Sequence, residues 1–196
     1  MRYPKLLLAS LAATLLLGAL VAGASAGSLS SSTGTFSAHW NLWRYTGGFG
    51  PAECEFDLAG TFHTRGFTKT ANSLIGYITS ANIPRCTRGG ATILRETLPW
   101  HVTYRSFAGT LPNITSQAAN IIGVSMRVRE PAIGETCLAR SSASSPTILT
   151  FNRETATGNV WSVDASGSIP CTGAVNVTGS ISGRSSSVSA GTLTLI

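Results

Sequence analysis

The run Thr35-Phe36-Ser37-Ala38-His39-Trp40-Asn41-Leu42-Trp43-Arg44-Tyr45 decides the fold class. Phe36, Ala38, Trp40 and Leu42 alternate with Ser37, His39, Asn41 and Trp43, the period of two expected of a strand with one face on a core. The next stretch, Glu53–His63, repeats the pattern. Cys54, Phe56, Leu58 and Phe62 fall on one side, and Glu53, Glu55 and Asp57 on the other.

Outward from this pair, strand-like segments recur at Leu74–Thr79, Ala91–Leu94, Trp100–Phe107, Ile121–Arg129, Thr147–Phe151, Asn159–Asp164, Ala174–Ile181 and Val188–Leu195. Turn-forming groups separate them: Thr46-Gly47-Gly48, Asn82-Ile83-Pro84, Arg88-Gly89-Gly90, Glu130-Pro131, Ser141–Pro146 and Ser182-Gly183. Gln117–Asn120 reads as one short helical turn. Many short strands with close turns predict an all-β fold over residues 35–196, an antiparallel two-sheet β-sandwich, with a β-barrel as the alternative. Trp40, Trp100 and Trp161 are the expected interior anchors.

The N-terminus has a different logic. Arg2 and Lys5 precede an almost wholly apolar stretch, Leu6–Gly23, and Ala24-Ser25-Ala26 supplies the small residues a signal peptidase accepts. Residues 1–26 are thus expected to form a signal-peptide helix cleaved after Ala26, followed by a disordered Ser-rich leader, 27–34. No later apolar run is long enough to span a bilayer, so the mature chain is expected to be secreted, extracellular or cell-wall-associated, without membrane contact. Gly23-Ala24-Ser25-Ala26-Gly27 fits the G-x-S-x-G nucleophile elbow, but the cleavage site cuts through it and no strand precedes it.

Export gives the four cysteines their meaning. Cys54, Cys86, Cys137 and Cys171 are even in number and far apart, which suits disulfides better than zinc, whose cysteine ligands usually come in close pairs. Cys54–Cys86 with Cys137–Cys171 closes two local loops of similar length, each worth about 3–4 kcal/mol by loop entropy. Arg2 and Lys5 also account for two of the six net positive charges. The remaining arginines are scattered and are not interleaved with aromatic residues along one face, which argues against a nucleic-acid partner. Weak attraction to anionic wall polymers is compatible with the remaining charge.

Few residues suggest chemistry. Glu53, Glu55 and Asp57 share one strand face, a weak candidate for a metal site. The plainer reading is a row of ion pairs, with Arg127 and Arg129 of another strand as candidate partners. His39, His63 and His101 each fall opposite the apolar positions, and His63 with Asp57 is the nearest acid–base pairing in sequence. No catalytic residue or cofactor is assigned. Trp43 and Tyr45, two apart, would lie side by side on one face and are the candidate ligand-binding residues, able to stack on sugar rings. Asn113-Ile114-Thr115 and Asn176-Val177-Thr178 match glycosylation sequons.

The segment Leu98-Pro99-Trp100-His101-Val102-Thr103-Tyr104, with Ser106-Phe107-Ala108-Gly109-Thr110-Leu111-Pro112-Asn113-Ile114-Thr115, resembles stretches of small uncharacterised secreted all-β proteins of actinobacteria. That resemblance implies a fold and a location, and no site residues. The reading is therefore a secreted, disulfide-stapled β-domain with a non-catalytic binding or cell-envelope role, an extracellular polysaccharide or another cell-envelope component being the expected partner class. An extracellular hydrolase and a barrel enclosing a small apolar ligand are the alternatives.

Overall fold

The computed structural model describes residues 28–196 apart from 49, 111–112, 130–133, 135, 154–160, 175, 191–192 and 196, and omits the side chains of 110, 113, 136, 161 and 193–195. The signal-peptide segment, the G-x-S-x-G match, the Glu130-Pro131 turn and the Trp161 side chain lie outside this description.

The first half of the chain supplies β1 (Leu29–Ser31), β2 (Thr35–Gly47), β3 (Gly50–Phe62), β4 (Gly66–Phe67), β5 (Leu74–Asn82), β6 (Cys86–Arg88) and β7 (Gly90–Ile93). After a short 3-10 turn (Arg95–Thr97) come β8 (Trp100–Thr110), β9 (Asn113–Ile122), β10 (Ser125–Arg129), β11 (Thr136–Arg140) and β12 (Thr147–Arg153). The chain ends with β13 (Trp161–Gly173), β14 (Val177–Arg184), β15 (Ser187–Ala190) and β16 (Leu193–Leu195).

Every pairing is antiparallel, and the path closes. In the order β12-β9-β8-β5-β3-β2-β14-β13, each strand bonds to the next, and β13 returns to β12. The all-β antiparallel expectation therefore holds, and its strand pairing takes the barrel-like form. A ring of eight strands has an interior just wide enough for side chains to fill. Phe36 of β2 meets Phe151 of β12 edge-on across it, with ring centroids 5.8 Å apart. Trp40 and Trp100 are buried, as expected. The gap left among Trp43, Phe56, Trp100, Met126 and Leu149 is only about 20 Å³, enough for one water-sized sphere. The side chains around this gap are core.

Long strands leave the ring as flaps. β13 parts from β12 at Gly167 and continues to pair with β11, which carries β10 and β7 beside it. Gly167 has φ of 141°, and a Cβ there would lie 2.8 Å from the Pro146 carbonyl oxygen, so the fork requires glycine. The two disulfides are Cys54–Cys86 and Cys137–Cys171, the expected pairing. Each ties an element outside the ring, β6 or β11, to a ring strand, β3 or β13.

The structure corrects four local expectations. Gln117–Asn120 is not helical. It continues β9, flanked by β8 and β12, and Gln117, Ala119 and Ile121 alternate inward. Ser182-Gly183 lies inside β14, where β2 and β13 hold it on both edges. The 27–34 stretch is not wholly a disordered leader, because Leu29–Ser31 pairs with both β16 and β4 and buries Leu29 completely.

The fourth correction has the largest effect. Between Trp40 and Trp43 the β2–β3 register slips, so that Asn41 and Leu42 together face the single residue between Phe56 and Cys54. Such a β-bulge reverses the facing of every residue beyond it. Leu42 turns outward, 47% exposed, and Trp43 and Tyr45 turn inward, each 2% exposed. The bulge lies alongside the break between β14 and β15, where Trp40 Nε1–H and the Ser185 N–H both donate to the Val163 carbonyl, at 3.1 and 2.9 Å. Beyond it, the Tyr45 ring lies flat over Gly179, and a Cβ at that position would fall 2.0 Å from the ring.

This register predicts an inverted ranking of substitutions, read by urea unfolding. Trp43→Ala should cost about 3–5 kcal/mol, and Leu42→Ala about 0.5 kcal/mol or less. Gly179→Ala should cost about 3 kcal/mol by overpacking against Tyr45. A Leu42 variant as damaging as the Trp43 variant would refute the bulge.

Candidate functional site

The expected sugar-stacking pair does not exist on the surface. Trp43 packs against Phe56 at 5.5 Å with nearly parallel rings, inside the barrel. Burial pushes the Tyr45 hydroxyl up to about 12, against a smaller opposing pull from the Gly179 amide. The same bulge that hides these rings organises the outer face instead. His39 and Arg44 have opposite sequence parity and would point to opposite faces of an unbroken strand. With one extra residue between them, both point outward, alongside the carboxylate row of β3.

That row is fully committed. Arg44 Nη2 meets Glu53 Oε1 at 2.7 Å, and Arg85 donates from Nε and Nη2 to Glu55 Oε1 at 2.7 and 2.6 Å. Asp57 Oδ1 accepts from His39 Nδ1 at 2.6 Å. The row of ion pairs expected for Glu53, Glu55 and Asp57 is present, but its partners are Arg44, Arg85 and His39 in place of Arg127 and Arg129. The latter pair sits on β10, opposite Thr92 and Gly90 of β7. Among the described residues, no three metal-ligating side chains gather into a site.

His39 has both ring nitrogens engaged, since Nε2 lies 2.9 Å from Asn41 Oδ1. The Asp57 hydrogen bond, helped by Asn41 and by the charges of Asp57 and Glu55, holds the imidazole above its ordinary 6.5 against the desolvation that lowers it. Two oxygen acceptors on one ring stabilise the imidazolium. A general base for a serine would need a free nitrogen. His39 bridges β2 and β3 through Asp57, and Ser37, Ser80, Ser187 and Ser189 line the groove beside it.

Those hydroxyls line a groove of about 350 Å³ across β15, β2, β3 and β5. Its floor follows the strand register, with Ser189 opposite Ser37 and Ser37 opposite Ala59, which in turn faces Ser80. Beside it, Tyr77 of β5 is directly opposite His101 of β8. His63, in the turn after β3, closes on the other side of the same ring. The centroid of Tyr77 lies 4.7 Å from that of His63 and 5.6 Å from that of His101. Sequence reasoning placed His63 and His101 outward but missed Tyr77, because only the β3–β5 and β5–β8 registers bring the three together. Asp57 pairs with His39, and not with His63, the histidine named beside it as the nearest candidate in sequence and too far along the strand to touch it.

No family model, no curated protein and no solved structure matches this chain. The two disulfides suit an oxidising compartment. Among the described residues, no helix is long and apolar enough to cross a membrane.

The His39 pair makes a pH prediction. A folded-state pKa raised above the unfolded value stabilises the protein fully below about 6.5, and that contribution disappears as pH rises through the folded value. An NMR titration should therefore place the His39 imidazole above 6.5, and Asp57→Asn should bring it back down. The same substitution should remove this part of the stability loss at rising pH. An unshifted His39 in the wild-type protein would contradict the two-acceptor geometry.

Proposed function

We propose that this chain is an exported, non-catalytic β-domain that binds polysaccharide of the cell exterior across the outer face of β15, β2, β3, β5 and β8. The observation that carries this reading is the row His63–Tyr77–His101 standing beside a hydroxyl-lined groove. Sugars present C–H faces that stack on aromatic rings, and hydroxyl rims that exchange hydrogen bonds with Ser and Asn side chains. A shallow groove across several strands suits an extended chain better than an engulfed small molecule, and the close packing around Trp43, Phe56 and Trp100 supports the same choice.

The signal-peptide pattern of residues 1–26 and the disulfides support an extracellular or cell-wall setting. The binding role, in preference to a hydrolase, is supported by the engagement of both His39 nitrogens beside the serines.

Titration calorimetry against soluble dextran, mannan, xylan and β-glucan tests the proposal. At least one should bind, and Tyr77→Ala should weaken it by about three- to tenfold, the value of one aromatic contact of roughly 0.5–1.5 kcal/mol. Absence of binding to all four, or full affinity in Tyr77→Ala, would overturn it.

A further inference from the structure

A second cleft, of about 330 Å³, lies between the loop from Ile83 to Cys86 and the β7–β10 edge of the flap. Arg85, Arg127 and Arg129 converge on it, and Gly90, Ala91 and Thr92 contribute small side chains that leave room for a ligand. Arg127 and Arg129 are both exposed on one face of β10, two residues and so about 7 Å apart. Neither has a carboxylate partner among the described residues, because the acidic row of β3 is taken up by His39, Arg44 and Arg85. Two arginines without a carboxylate partner among the described residues thus stand on one exposed strand face beside the cleft.

The wall of the cleft is held in place. Cys86 is bonded to Cys54 of β3, and Arg85 is fixed twice, by its side-chain bonds to Glu55 and by its carbonyl accepting the Glu55 N–H at 2.8 Å. The Arg85 side chain still remains 72% exposed.

We infer that this cleft binds successive phosphodiester groups of an extended polyol-phosphate polymer. Arginine forks match oxyanions in paired hydrogen bonds. The tetrahedral oxygens of a phosphodiester accept from guanidinium groups approaching in different planes, whereas a carboxylate offers its acceptors in one plane. A polymer with one charge per short repeat can occupy Arg127 and Arg129 together, and the net positive charge of the chain draws it in. The inference rests on the exported, polymer-binding reading for the setting of its ligand, and not on the Tyr77 face.

Titration calorimetry at low salt with short poly(glycerol phosphate) tests it. The wild-type protein should bind, Arg127→Gln with Arg129→Gln should weaken binding by about tenfold or more, and Arg65→Gln with Arg153→Gln, an equal change in charge elsewhere, by less than about twofold. Polygalacturonate should bind more weakly, and Tyr77→Ala should leave poly(glycerol phosphate) affinity intact. Absence of wild-type binding, equal losses in the two double variants, or polygalacturonate binding as tight as poly(glycerol phosphate) would overturn the inference. Loss of neutral-glycan binding alone in Tyr77→Ala would bear only on the polysaccharide reading.

Discussion

The structure depends on β12 bonding along both of its edges, to β9 on one side and to β13 on the other. This closes eight antiparallel strands into a ring and leaves the ring itself without the unpaired edges through which open sheets aggregate. Closure also fixes the interior volume, so the inward residues must fill it closely. Phe36, Trp40, Trp43, Tyr45, Phe56 and Trp100 do so with large rings, and glycines such as Gly179 make room where a ring meets backbone.

The bulge at Asn41 and Leu42 couples that interior to the surface. It brings two more aromatic rings into the barrel and turns Arg44 to the same side as His39. Asp57 and Glu53 of β3 then face His39 and Arg44 of β2, and Arg85 pairs with Glu55 from the loop before β6. Arg127 and Arg129, on β10, take no part in this row and line the proposed anion-binding cleft. The disulfides act on the same plan. Closure holds the ring, and the cysteines hold β6 and β11 against it.

Much of this was legible in the sequence. Alternation identified the long strands β2 and β3, the expectation of export made disulfides the natural state of the cysteines, and similar loop lengths selected the pairing. The carboxylate row was visible as three acids at a spacing of two. Its partners were not, because they depend on a register that the bulge alters, and no residue type marks a bulge within Asn41-Leu42-Trp43. For the same reason Trp43 and Tyr45 read as a surface pair. Tyr77 was missed since its neighbours come from β8 and from the turn after β3, far away in sequence. The Gln117–Asn120 segment misled because Gln and Ala favour helices locally, whereas two flanking strands supply every backbone bond in the barrel.

Closure at β12 can be read directly by native-state hydrogen exchange. A strand paired on both edges has consecutive amides bonded in turn to the two neighbours, whereas an edge strand leaves every second amide open to water. Ile148, Leu149, Thr150 and Phe151 should therefore all exchange slowly, with similar protection. Alternating slow and fast exchange along these four residues would mean that the ring is open at β12, and would contradict the account.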